Sequence, residues 1–434
     1  MLTLEHQSLP RSAGPNVRRS LCLLFDTAAL AGLAFQLAKY LDSAFSAWGV
    51  DYIKHYDAVI KMLDGRNPYA GRFFDAYPAL TKPLFVWLAL FDPYMGEVMW
   101  DVWNALMILG AAALAGWAWR PDPPRTALPL AGPLQRSTLM DFKDFLARRW
   151  WAWGAALVGL YQPALSLLHA GNIAPTNFFL LVLWGAFLVR RRPFATGFML
   201  VVAAMVKIFT IIALLPFVLG GRRRVLAGAA AALGLYGLGL SLAGWWGYEW
   251  GLYSTVLPAL PFRFQGISYG LNNLIVAWAV PSAGTSEPTF RALSAGVGAA
   301  VLGATALILW LARHRLLHDG EDFDDALTLT LVALPLITPL LEYHHYVWCA
   351  VAWLLLWRRW ASGTLPDSRF FPQLLFWLLI LAGGIAGDMA RGGYWTALPG
   401  AMGLWALNAW YLMARNTETP HCAQAEMSRM GCAP

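Results

Sequence analysis

Apolar runs as long as a bilayer is thick, separated by short arginine clusters, constrain this chain more than any other feature. A hydrocarbon core of about 30 Å takes roughly 20 residues of helix. Runs of that kind fall at residues 21–41, 97–119, 150–169, 173–189, 225–244, 290–312, 326–341, 345–357, 370–386 and 394–413. The chain is 58% hydrophobic and only 13% charged, with 23 tryptophans, a balance foreign to soluble domains. We expect an all-α polytopic membrane protein of about ten full spans. The first run is too long for a signal-peptide core and lacks a small-residue cleavage site, so it reads as a retained helix.

The net charge of +7 suggests no nucleic-acid partner, because the arginines sit in short clusters between apolar runs. That is the pattern of the positive-inside rule. With the N-terminus inside, 22 of the 32 lysines and arginines fall on the inner side, 8 on the outer side and two, Lys39 and Lys207, within apolar segments. Reversing the topology inverts this bias. The expected organisation is a cytoplasmic N-terminal tail (1–20), a membrane domain (21–413) with long outer loops at 42–96 and 245–289, and a cytoplasmic tail (414–434). Within loop 42–96, residues 79–91 read as an interfacial or partly inserted helix. Residues 194–219 have arginine clusters at both ends, Arg190–Arg192 and Arg222–Arg224. Twenty-six residues are too few for two crossings, so a re-entrant pair of short helices turning near Lys207 is expected.

Against this background the string 48–78 stands out. It places Asp51, Asp57, Asp64 and Asp75 with Lys54, His55, Lys61, Arg66 and Arg72 in a sparsely charged chain, on the expected outer side. Helical spacing puts Asp51, Lys54 and His55 on one face, with Tyr52 and Tyr56 adjacent at i, i+4. A carboxylate beside a histidine and an aromatic wall suits a general base; a solvated interfacial helix fits the same composition.

Other candidates are weaker singly. Lys207 lies in the apolar string AAMVKIFTII; a buried cation at a helix break suits a phosphate, unless it snorkels to an interface. Asp26 reads as a structural pairing partner. Gly171-Asn172 reads as a turn, and Asn272 either as a sugar or phosphate ligand or as a helix cap. His344 and His345, beside Glu342, are adjacent and point about 100° apart on a helix, which suits a substrate contact better than a metal. Glu321–Asp325 contains a DxD-like string but reads as a solvated acidic loop. Four cysteines show no disulfide or zinc pattern, and the C-terminal tail reads as disordered.

Taken in order, these strings resemble glycosyltransferase family 87 of the GT-C superfamily, the polyprenol-phosphate-sugar-dependent membrane glycosyltransferases. The resemblance rests on Asp51…Tyr56-x-Ala58…Gly65-x-Asn67-Pro68-Tyr69…Tyr77-Pro78, Gly171-Asn172, Ala195-x-Gly197…Ala203-Ala204-Met205-Val206-Lys207, Asn272 and Pro339…His344-His345-Tyr346. Asn172 stands where the family often has Gln, and Ile208 where it often has Pro. The resemblance implies transfer of a hexose or pentose from a polyprenyl-phosphate sugar to a glycan, lipid or glycolipid acceptor hydroxyl. On it, Asp51 is the acceptor base, and Lys207 with His344 or His345 neutralises the leaving phosphate. Failing Lys207, that role passes to Arg66, Arg72 or Lys82. Lys54, His55, Tyr56, Tyr77, Asn172 and Asn272 complete the donor and substrate contacts. No metal or further cofactor is required on this reading, and the implied setting is the outer face of a bacterial inner membrane. A transporter, a lipid flippase or a non-catalytic relative is the alternative.

Overall fold

All the described elements are helical. The computed structural model describes residues 15–44, 50–70, 77–119, 149–161, 163, 172–258, 270–271, 274–275, 286–317, 320–338, 341, 343–389 and 396–429. The helices are α1 (Pro15–Ala44), α2 (Val50–Leu63), α3 (Pro93–Trp119), α4 (Trp150–Gly159), α5 (Ala174–Val189), α6 (Pro193–Val206), α7 (Leu215–Leu219) and α8 (Arg223–Ala243). They continue as α9 (Trp246–Gly251), α10 (Glu287–Ala312), α11 (Glu321–Ile337), α12 (Ala350–Ala361), α13 (Asp367–Met389) and α14 (Ala397–Arg429). Four tighter 3₁₀ segments, Ala79–Leu90, Ile208–Leu214, Arg315–Leu317 and Tyr343–Cys349, lie among them. Among the described residues, three helices are long and apolar enough to cross a membrane: Pro93–Ala118, Arg223–Ala243 and Glu287–Ala312.

A helix apolar on every side has to be covered on every side. From Asp325 to Ile337 every residue of α11 is buried, and α10, α14 and three of the 3₁₀ segments pack around it. Its polar start differs from the solvated loop expected there. Glu321, Asp322 and Asp324 form the first helical turn, where the helix dipole favours carboxylates. Asp325 is 1% exposed and accepts a 2.6 Å bond from Arg359. The DxD-like string is thus the ion-paired head of a core helix. Asp26 also has a structural partner, Arg149.

Glycine sets the closest helix crossing. A Cβ on Gly197 of α6 would sit 1.7 Å from the Val225 carbonyl oxygen, and one on Gly228 of α8 would sit 1.9 Å from that of Phe194. The two helices meet backbone to backbone, which needs small residues at the contact. The chain then breaks at Lys207 (φ −140°, ψ 99°) and returns through Ile208–Leu214 and α7, so that α6 and α8 begin beside the same cavity.

Five of the described helix ends share one closing pattern, in which a left-handed residue carries the chain out of the last turn. Gly65, Gly221, Gly244 and Gly363 fill four of these positions, with φ between 62° and 76°, and Arg191 fills the fifth at φ 53°. A side chain costs on the order of 1 kcal/mol there. The last helix, α14, runs on to Arg429, where the sequence suggests an unstructured tail; residues 423–429, AQAEMSR, are mostly good helix formers.

Candidate functional site

Helix α2 presents Asp51 and Lys54 one turn apart, and their side chains meet: Lys54 Nζ donates to Asp51 Oδ1 at 2.7 Å. The second carboxylate oxygen, Oδ2, accepts from Asn172 Nδ2 at 2.7 Å. Asn172 is 3% exposed and is fixed from both ends. Its Oδ1 accepts the Ala174 N–H at 2.8 Å, which caps α5, and its carbonyl accepts from Asn104 at 3.3 Å. What reads as a bare turn in the sequence is therefore a clamp on the carboxylate.

Burial pushes the Asp51 carboxyl up, but the Lys54 charge and hydrogen bond, the Asn172 hydrogen bond and the His55 charge together outweigh it. The result lies below the ordinary carboxylate value, so Asp51 is an anion at neutral pH.

His55 shares the helical face of Asp51 but is 1% exposed. Its ring lies 5.0 Å from Tyr77, 5.2 Å from Phe85 and 5.7 Å from Trp100, so it is one wall of an aromatic box. Tyr52 and Tyr56 stand 5.8 Å apart, as i, i+4 spacing requires, and the Tyr56 hydroxyl donates to the Phe91 carbonyl at 3.1 Å. Expected hydrogen-bonding positions on α2 thus divide into one polar pair and a rigid support.

Lys207 approaches from the other side. Because the backbone is extended between α6 and the following 3₁₀ turn, its ammonium leaves the helix axis and stands 3.2 Å from His345 Nε2 and 5.1 Å over the Tyr77 ring. An ammonium only donates, so Nε2 accepts and His345 carries its proton on Nδ1. His345 stacks on Trp348 (5.0 Å, 11°), and the His344 ring lies 4.1 Å away. His344, in the turn after α11, is held neutral by burial and then by the Lys207 charge, against the opposing pull of Asp51. The charges of Lys207, Asp51 and Lys54 are all felt at His344.

Lys82 joins from the 3₁₀ segment that follows Pro78. It is 1% exposed, donates to the Tyr77 carbonyl at 3.1 Å and lies over the Tyr69 and Tyr77 rings. That segment is docked by Glu249 on α9, which accepts the Ala79 N–H at 2.8 Å and the Tyr236 hydroxyl. Asn104 and Glu249 carry no sequence signal; their roles depend on contacts 68 and 170 residues away. Arg66 is exposed and pairs with Asp64. Asn272, Glu342 and Arg72 lie outside the described residues. Among the described residues no three His, Cys, Asp or Glu side chains are grouped as metal ligands would be.

A helical body with apolar spans carries an ionised carboxylate, Asp51, and a half-buried ammonium, Lys207, beside aromatic walls. The chain belongs to glycosyltransferase family 87, whose family model matches residues 74–341. The match takes in Tyr77, Lys82, Asn172 and Lys207. Asp51 and the histidine pair lie outside it and are joined to it by the Asn172 and Lys207 contacts. No match is found among curated proteins.

Proposed function

We propose that this glycosyltransferase moves a hexose or pentose from a polyprenyl-phosphate sugar to a hydroxyl of a glycan, lipid or glycolipid acceptor. The observation that carries the reading is an anionic carboxylate, Asp51, clamped by Asn172, with the Lys207 ammonium held over the Tyr77 ring that packs on His55 of the same helix α2. The acceptor oxygen attacks the anomeric carbon as the bond from that carbon to the phosphate oxygen breaks. The hydroxyl proton passes to an Asp51 oxygen, and the electron pair of the broken bond leaves on polyprenyl phosphate. A carboxylate of lowered pKa is a weak base, but the hydroxyl becomes strongly acidic as its oxygen bonds to carbon, so transfer late in the displacement suffices. Lys207, oriented by His345, donates to the phosphate oxygen as charge builds on it, and Lys82 adds a second cation nearby.

The apolar helix surfaces, with Leu235, Leu238 and Leu242 of α8 exposed, provide lipid contact for the body and for the polyprenyl tail. About ten crossings, a re-entrant α6–α7 pair, and a site on the outer face of a bacterial inner membrane complete the reading. It is supported by the arginine distribution and by the common cavity at the starts of α6 and α8.

The test is transfer of radiolabelled sugar from a polyprenyl phosphate by purified protein in lipid nanodiscs. Asp51→Asn should abolish measurable transfer and Lys207→Met should lower it on the order of 10²–10³-fold, while each protein still inserts and remains monodisperse. Undiminished transfer by Asp51→Asn removes the base assignment. Movement of intact lipid or solute without glycosidic bond formation by the parent protein points to a transporter or flippase instead.

A further inference from the structure

Three of the helices that adjoin the site, α5, α6 and α12, have their far ends at a basic cavity. Helix α5 runs 16 residues from the Asn172 clamp, roughly 24 Å at 1.5 Å per residue, to Arg191 and Arg192. Helix α6 runs from there back to Lys207, and α12 runs from the His345 segment to Arg358 and Arg359. These four arginines, with Arg222–Arg224 at the head of α8, line one cavity of about 870 Å³. Seven arginines thus face two carboxylates, Glu321 and Asp324. Arg359 is engaged by Asp325 and Asp324. Among the described residues, Arg191, Arg192, Arg223 and Arg224 pair with no carboxylate.

The positive-inside rule accounts for arginines on one side of a membrane. It does not gather them around one cavity, and it does not place one in left-handed backbone. Arg191 holds the helix-closing position that glycine fills at four other helix ends, so its side chain is kept at a conformational cost. Leu188, Val225 and Leu355 supply an apolar wall beside the guanidinium groups. A phosphate on an apolar stem matches both surfaces.

We propose that this cavity binds the phosphate headgroup of an anionic phospholipid and so fastens the far ends of α5, α6 and α12. The proposal rests on the membrane placement given above, but on neither Asp51 nor the sugar donor. The test is native mass spectrometry of the full chain released from nanodiscs of phosphatidylglycerol and phosphatidylcholine. Arg191→Gly with Arg192→Gln should lower phosphatidylglycerol retention roughly tenfold and leave phosphatidylcholine unchanged. Arg191→Gly alone should not lower the melting temperature, since glycine suits that backbone, and Arg224→Gln gives an independent arm in a regular helix. Asp51→Asn should retain phosphatidylglycerol fully, even with transfer abolished. Equal retention of both lipids by parent and variants overturns the proposal. Binding of inorganic pyrophosphate that the arginine variants lose, with no preference between the lipids, overturns the lipid source and assigns the cavity to a soluble phosphate compound.

Discussion

Asn172 Nδ2 donates to Asp51 Oδ2 at 2.7 Å across 121 residues of sequence. The amide cannot turn over without cost, because its oxygen is held by the Ala174 N–H. One carboxylate oxygen therefore faces α5 and the other faces Lys54, and the direction in which Asp51 accepts a proton is set before substrate arrives. Asn172→Ala should lower transfer by roughly 10–100-fold, the range for losing a hydrogen bond to a charged group, and cost about 1 kcal/mol of stability through the lost cap on α5. Asn172→Asp sets a second anion against Asp51 and should be worse than Asn172→Ala. Equal rates for the two variants would falsify the clamp.

Lys54 governs the pH range over which Asp51 works. With the pair intact, the Asp51 carboxyl is held below the ordinary carboxylate value, so transfer should survive acidification until the pH falls through that lowered value. The associated stability has the same sign: it is present above the ordinary carboxylate pKa and lost as pH falls through the lowered one. Lys54→Met removes the largest of the lowering influences and leaves burial opposing ionisation. Its acid limb should move to higher pH, while the rate on the neutral plateau changes less. A pH–rate profile with single-turnover sampling reads this directly, and an unmoved limb assigns it to another group.

Much of the locus is legible in the sequence, for reasons that can be named. Asp51, Lys54 and the Tyr52–Tyr56 pair show at helical spacing, and Lys207 shows because a cation in an apolar run is expensive. The role of His55 is not legible, since nothing local reveals that Phe85 and Trp100 close around it. The acidic head of α11 looks solvated because its partner, Arg359, lies 34 residues on. Gly197 is visible as part of a family string, but the carbonyl it makes room for belongs to another helix. Local chemistry can be read from spacing; which surfaces meet cannot.

Lys207 and His345 should act as a unit on the leaving phosphate. Lys207→Met removes a donor aimed at developing charge, an effect on the order of 10²–10³ in the rate of the chemical step. Lys207→Arg keeps the charge but not the point geometry, and should recover only part of it. His345→Gln keeps an acceptor for the ammonium and should be milder than His345→Phe. The double variant Lys207→Met/His345→Phe should then cost little more than Lys207→Met alone. Additive losses in this cycle separate the two residues and remove His345 as the positioning partner.

The α6–α8 crossing links the fold to the site, because α6 carries Lys207 at its end. A Cβ at Gly197 or Gly228 would meet a backbone carbonyl oxygen at 1.7 or 1.9 Å, and backbone cannot swing aside as a side chain can. Gly197→Ala should force the helices apart and cost about 1–3 kcal/mol, with a loss of transfer as Lys207 moves off His345. A methyl group added at Gly234, on the same helix α8, would meet nothing within 4 Å, so Gly234→Ala should be neutral or stabilising by up to about 1 kcal/mol. Thermal unfolding of the two alanine variants in the same detergent therefore separates crowding from helix propensity. The crossing is not limiting if Gly197→Ala melts with Gly234→Ala, and the loss of transfer then has to be sought in α6 itself.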